Sequence, residues 1–443
     1  METLGKLGNL LKSFCSNEDL NPKEMSHPRE RIRVVPFKDS KGYVQVITRN
    51  DDLLDVEMLN VELLRELRPL SLKRQGEIRN QFNTAVNVPI PVKSGGWETV
   101  FDLRVLELEF LEIPVNDTHA VDVPVEALLK IYDEPHKFEV IKVVGDRPAG
   151  DVDKCIRDFT ALKIKRQLDD TIELPPLSSS ARRLMELRTN PNANLNDLVE
   201  IIEMDASLTA SILRWAGSSF YSNAGSVGSV KDAIGRVMGF DLVLNLSMGL
   251  TLGGSIGKPE EHPDGFMDYW HQSVWMAYAA ATICGTIPAR DRPSYGMVYM
   301  TGLLHNFGYL VLNHTFPPYF KIACRHWEAN RHLDTNYVEM SLLRITRETM
   351  AAELFKCWEM PDELVVSIRE QKTPDYDGPY RVYVDLLKAS RCLLDELGFP
   401  AGVVIDKSTP YLERLNVDQD LLAERMETLI EKRKQIDAMA ALL

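Results

Sequence analysis

The hydrophobic pattern changes period near residue 170, and this change limits what the chain can fold into. From Arg31 to Val144 the apolar runs are short and rich in β-branched residues. "RIRVVPF" and "GYVQVIT" are separated by "KDSKG", a polar turn closed by Gly42, which predicts a hairpin. "LLDVEMLNVELLREL" reads as a helix, and "WETVFDLRVLELEFLEIPV" and "HAVDVPVEALLKIY" alternate strand-like with helical runs. The mixture predicts an α/β domain with a mixed sheet over residues 27–144. Residues 1–26 read as a tail or short amphipathic helix. Gly and Pro flank residues 145–171, a connector with room for one helix over about 152–168.

From Leu177 onward nearly every segment has helical period. Asp205 is placed as an N-cap, with Leu208, Ile212 and Trp215 on one apolar stripe. Pro361 suits a first helical turn and Gly398 a helix stop. The pattern predicts an all-α domain over 172–410 and a charged amphipathic helix over 411–443 that packs on that domain. No fixed-period repeat supports a solenoid. "GSVGSV" and "GGSIG" lack the spacing of phosphate loops and read as helix connections.

The chain has 443 residues and a formal net charge of −14, which argues against non-specific nucleic-acid binding by the whole protein. Cysteines 15, 155, 284, 324, 357 and 392 form no C-x-x-C pair, so buried free thiols in a reducing cytoplasm are expected. The N-terminus has no long apolar core of the kind a signal peptide needs, and no run of about 18 apolar residues suggests a membrane span. A cytoplasmic protein is expected.

Six histidines fall in the helical half, at 262, 271, 305, 314, 326 and 332. A lone histidine on an apolar helix is usually a satisfied core or groove residue. His271 in "YWHQSVWMAYAA" and His305 in "TGLLHNFGYLVL" gain meaning from their order with "ELPPLSSSARRLMEL", "LNDLVEIIEMDASLTASILRWAGSSFYS" and "VGSVKDAIGRVMGFDLVLNLSM". That succession, over roughly residues 172–400, resembles the HDOD family, all-helical relatives of the HD-type metal phosphohydrolases.

The resemblance implies a metal site built on a His, a His-Asp pair and a distant Asp. Neutral imidazoles and hard carboxylate oxygens fix divalent ions, and the metal then lowers the pKa of bound water. Here His271 matches the first histidine and His305 the second, but Asn306 replaces the paired aspartate and Ser390 the distant one. Asp385 and Asp395 each lie five residues from Ser390, about 140° round a helix. Arg347, Gln371 and Lys372 stand where phosphohydrolases often carry further histidines. No metal and no cofactor are therefore expected. The remnant pocket of His271, His305, Asn306 and Ser390, flanked by Arg369 and Lys388, reads as a groove for a ligand or partner. The resemblance implies a regulatory or scaffolding role, with a signalling protein or a nucleotide second messenger as partner. A metal-dependent phosphohydrolase with an unusual ligand set is the rival reading.

Residues 27–132 resemble the YbaK/prolyl-tRNA deacylase editing domains. In that family a lysine near the first strand pair is central to hydrolysis of mischarged tRNA; Arg33 takes its place here, and arginine cannot serve as a tunable ammonium. Lys38 is five residues on and faces the other side of a strand. Gly95 and Gly96 stand where the family has a glycine-rich substrate loop. Arg29, Arg31, Arg33 and Lys38 read as a solvated strand edge rather than an RNA-binding face. Aminoacyl-tRNA editing is thus a third reading, and tRNA is not an expected partner.

Overall fold

The computed structural model describes residues 8–9, 11–13, 15, 21–24, 31–82, 89, 96–114, 119–132, 134–142, 177–218, 227–257, 259, 261–399, 407–441 and 443. The connector expected over 145–171 and its helix, together with Arg29 and Gly95, lie outside the described residues. The chain divides into two compact units. One takes the described residues up to 142 together with Pro263–Gly265 and Lys321–Leu342; the other takes the remaining described residues from 177 onward. The helical region expected over 172–410 thus contributes residues to both units.

In the first unit the expected hairpin forms from β2 (Ile32–Lys38) and β3 (Tyr43–Arg49), antiparallel with Val34 opposite Ile47 and Val35 opposite Val46. Its turn is closed by the Asp39 carboxylate, which accepts from the backbone N–H of Lys41 and Gly42, where φ is +139°. β6 (Trp97–Asp102) and β9 (His136–Phe138) add in parallel and β5 (Arg68–Pro69) antiparallel, giving the order β5-β2-β3-β6-β9. β1 (Lys23–Glu24), β8 (His119–Pro124) and β7 (Phe110–Pro114) form a three-stranded antiparallel sheet.

Side chains alternate across a strand, so β2 sends odd and even residues to opposite faces. Ile32 and Val34 join a cluster with Phe101, Leu111, Val121 and Leu128. Val35 and Phe37 join another with Val44, Val46, Leu59 and Ala329. Both faces are buried, which is why these strands read as near-continuous apolar runs.

"LLDVEMLNVELLREL" forms less helix than its pattern predicts. Leu53–Leu54 is strand β4, paired with β10 (Ile141–Lys142), and helix α1 runs only over Val56–Leu63. The reason is the Asp55 cap, whose carboxylate accepts from Glu57 and Met58 N–H and starts the helix there. Helices α2 (Leu72–Phe82) and α3 (Val125–Ile131) complete the chain-ordered part of this unit.

The second unit is helical. It holds α4 (Ser179–Thr189), α5 (Leu195–Glu203), α6 (Ala206–Ala216), α7 (Val230–Asp232) running into a π-helical turn (Ala233–Met238), α8 (Phe240–Ser255), α9 (Tyr269–Thr286), α10 (Tyr295–Leu304) and α11 (Phe307–Thr315). α12 (Pro317–Ala329) and α13 (Thr335–Leu343) carry the segment assigned to the first unit. α14 (Arg347–Cys357), α15 (Asp362–Glu370), α16 (Arg381–Glu396), α17 (Thr409–Arg414), α18 (Gln419–Glu431) and α19 (Arg433–Ala440) follow. Asp205 caps α6 through Ser207 and Leu208 N–H, with Leu208, Ile212 and Trp215 buried beneath. Gly398, at φ +78°, ends α16.

The region expected as one helix over 411–443 instead holds the end of α17, then α18 and α19 with Lys432 between them. The break lets α19 turn onto α9: Asp437 accepts from the Trp275 indole N–H at 2.8 Å, and Met439 Sδ lies 3.8 Å from the Tyr278 hydroxyl.

α11 and α14 approach so closely that a methyl group on Gly308 would collide with the backbone carbonyl of Arg347. Backbone cannot step aside as a flexible side chain can, so Gly308→Ala is expected to cost about 2–3 kcal/mol. A melting temperature unchanged from wild type would show that the two helices separate freely.

Candidate functional site

The "TGLLHNFGYLVL" segment is not one continuous helix. α10 stops at Leu304, His305 is its C-cap, and Asn306 stands at the N-cap of α11 with φ −108° and ψ 19°. The break comes where polar side chains compete for local backbone groups. His305 Nδ1 lies 2.8 Å from the Gly302 carbonyl oxygen, so it carries the proton and donates, leaving Nε2 with the lone pair. Burial pushes the His305 pKa down to about 3; Arg347 and Arg391 push the same way and Glu348 opposes. The imidazole is therefore neutral at ordinary pH. Gln371 donates to the His305 carbonyl at 2.8 Å, which ties the end of α15 to the break.

His271 lies in the first turn of α9, where Asp268 caps the helix and its Oδ1 is 3.3 Å from His271 Nδ1. Partial burial raises the Asp268 pKa, but the hydrogen bonds from His271 and from two backbone N–H groups outweigh it and hold the carboxyl below its ordinary value. One residue along, Gln272 accepts from the Asn306 side-chain amide at 2.9 Å. The structure thus connects Asn306 to the start of α9 through Gln272.

The other expected members are held elsewhere. Ser390 is fully buried, and its hydroxyl donates to the Leu386 carbonyl at 2.6 Å. Arg369 pairs with Glu353. Lys388 donates to the Thr373 carbonyl and lies 5.3 Å over the Tyr411 ring. Asp385 faces Arg414 at 3.2 Å and Arg381 at 3.7 Å. Desolvation raises its pKa, opposed by those arginines and by Lys388. Glu348 was not singled out in the sequence, yet it is the buried carboxylate in the electrostatic surroundings of His305. Lys372 lies 3.0 Å from it and Arg347 3.7 Å.

A divalent centre of the HD kind needs anionic oxygen beside its imidazoles. Here Asn306 is an amide bonded to Gln272, Ser390 is turned onto its own helix, and Glu348 is matched by two cations. Among the described residues no three His, Cys, Asp or Glu side chains gather as a ligand set. The residues present do not fit such a centre.

In the first unit Arg33 departs from the expected solvated strand edge. It shares a face of β2 with Val35 and Phe37 and is 6% exposed. Its guanidinium donates to the Ala329 carbonyl, the Asp52 carbonyl and Asn330 Oδ1. Burial pushes its pKa down to about 9, against the pull of Asp52. Asn330 also pairs with both backbone groups of Leu54, accepting from N–H at 2.7 Å and donating to the carbonyl at 2.9 Å. His332 lies 3.1 Å from the Asp52 carbonyl oxygen. The segment Lys321–Leu342 therefore covers Arg33. Lys38, on the opposite face by register, is exposed and stands 5.1 Å over the Tyr43 ring. Gly96, at φ +67°, precedes β6. Arg33 is not brought together with Lys38 or Gly96 by any hydrogen bond.

The HDOD domain model matches residues 174–374. A solved structure from Marinobacter aquaeolei VT8, of a protein named for signal transduction, is 38% identical, covers 98% of each chain and superposes with a TM-score of 0.85. An HDOD domain protein of unknown function from Geobacter sulfurreducens is 20% identical over 65% of this chain and 99% of its own, with a TM-score of 0.53, a likeness of fold. An uncharacterized protein of Treponema pallidum (strain Nichols) is 22% identical over 209 residues, which make up 47% of this chain and 39% of that relative. No helix among the described residues is long and apolar enough to cross a membrane. The likeness to the Marinobacter protein runs the full length of the chain, and the domain model shows what its helical part is: this chain carries an HDOD domain over residues 174–374.

Proposed function

We propose that this protein is a non-catalytic bacterial signal-transduction regulator of the cytoplasm. It acts by binding a signalling protein or a nucleotide second messenger at the groove around the α10–α11 break. The observation that carries this reading is the state of that break. A neutral His305 imidazole offers one lone pair, and the neighbouring Asn306 amide brings no charge. Such a site can donate and accept hydrogen bonds but cannot hold a dication strongly enough to activate water. The name of the Marinobacter relative supports the signalling part.

The first unit is read here as a deacylase-like domain without hydrolytic activity. An acceptor end of tRNA would have to displace Ala329 and Asn330 to reach Arg33.

Elemental analysis of the purified chain is expected to find iron, manganese and zinc well below one equivalent, and nucleotide phosphodiesters are expected to remain intact in its presence. Stoichiometric metal that disappears in His305→Ala would instead establish the phosphohydrolase reading. Equilibrium dialysis against cyclic dinucleotides separates the two kinds of partner. Retention would identify a nucleotide; its absence, with a protein captured by the groove of wild type and not by Asn306→Arg, would identify a protein. A mischarged-tRNA assay is expected to show no deacylation above background.

A further inference from the structure

The second unit contains a cleft of ≈ 650 Å³ whose lining includes none of His271, His305, Asn306 and Ser390. Its walls come from α4, α8 and the connection between α14 and α15. A volume of this size falls in the range of about 300–1,000 Å³ typical of small-molecule sites. Met185, Met248, Trp358 and Pro361 supply apolar surface. Arg188, on the last turn of α4, also lines it.

Arg188 is half-buried, and its Nη1 is shielded from solvent with no hydrogen-bond partner. Among the described residues its side chain makes no hydrogen bond or ion pair. Glu363, Asp241 and Tyr383 contribute to the field around it without bonding to it. Two more deeply buried arginines, by contrast, are spent on carbonyls, an amide or carboxylates: Arg33 on Ala329, Asp52 and Asn330, and Arg65 on Asp39 and Glu98. A guanidinium removed from water without a partner is unfavourable, and an anion supplied from outside relieves that cost. Arg182, Glu186 and Glu359 stand exposed at the rim, so Arg188 is the one charged side chain of the lining that is withdrawn from solvent, and its Nη1 has no bonded partner.

We propose that this cleft binds a small organic monoanion, a carboxylate on an apolar body, with Arg188 as the anchor for the head and Met185, Met248, Trp358 and Pro361 packed around the body. One unbonded guanidinium suits one carboxylate head. The apolar wall then discriminates against inorganic anions, which bury no apolar surface.

The experiment titrates decanoate, 1-naphthoate, decanol and sulfate into the full chain by calorimetry. At least one of the two carboxylates is expected to bind about tenfold or more tighter than both decanol and sulfate, since decanol loses the charge-assisted hydrogen bond and sulfate loses the apolar burial. Arg188→Gln is expected to lose about the same factor and Arg188→Lys less, because a point charge retains attraction without the fork. Cys357, the exposed cysteine among those described, lies in the cleft lining and reports occupancy. The bound carboxylate is expected to slow its modification by a disulfide reagent several-fold in wild type, and not in Arg188→Gln. Decanol binding as tightly as decanoate in wild type would overturn the proposal without any variant. So would undiminished carboxylate binding by Arg188→Gln, or failure of both carboxylates to bind and protect Cys357.

Discussion

Asn330→Ala is expected to remove about 4 kcal/mol from the stability of the unit that holds the hairpin, lowering its calorimetric transition by about 10 °C. The size follows from what the side chain serves. Asn330 accepts from Leu54 N–H and from Arg33, and donates to the carbonyls of Leu54 and His326. Alanine takes the side-chain partner from both backbone groups of Leu54 and one partner from Arg33, in a place 1% exposed, while the His326 carbonyl keeps the backbone N–H of residue 330. Each unmet buried polar group costs about 1–3 kcal/mol, and a charged one more. Arg33 would keep its bonds to Ala329 and Asp52, so the loss stops short of the cost of an isolated buried cation. A change below about 1 kcal/mol in chemical denaturation would mean that water or another side chain replaces Asn330 at once.

Acidification from pH 7 to pH 5 is the second large expected effect, with a share in each unit. His305 is pushed down to about 3, and His332 down to about 2 by burial, with Arg33 adding to it and the Asp52 carbonyl opposing. The ordinary value in the unfolded chain is 6.5. Between the folded and unfolded values the unfolded chain binds the extra protons. Stability is therefore complete above pH 6.5 and declines as pH falls toward the folded values. At pH 5 the shortfall is about 1.5 pH units for each imidazole, or about 2 kcal/mol apiece. Denaturation of wild type and His305→Gln at both pH values isolates the histidine from the carboxylates that also titrate in acid. The variant is expected to show about 2 kcal/mol less difference between the two pH values. Equal differences would place His305 in contact with water.

Much of the local structure follows from local sequence. "KDSKG" forms its turn because Asp39 and Gly42 meet within four residues, and Asp205 caps α6 from two and three residues away. Arg33 was legible in part. It stands at an odd position of β2 with Val35 and Phe37, and that alternation already gives it a face shared with apolar residues. Its reading as a solvated edge gave weight to its charge over its period. The break at His305–Asn306 was not legible, because "TGLLHNFGYLVL" keeps an apolar pattern throughout. The break depends on Gly302, Gln272 and Gln371, the last two brought in by other helices.

Residue identity alone fixed that positions 306 and 390 bring no negative charge, since no fold can give an amide or a hydroxyl the charge of a carboxylate. The periods of the apolar residues likewise separated a strand-rich half from a helical half, because period depends only on neighbours along the chain. Where residues Lys321–Leu342 would pack, and hence that Arg33 would be covered, only the tertiary structure decided. The Arg33–Ala329 bond joins residues 296 positions apart. At that separation the partner is chosen by competition among all buried surfaces for all unmet donors and acceptors, which no local pattern encodes.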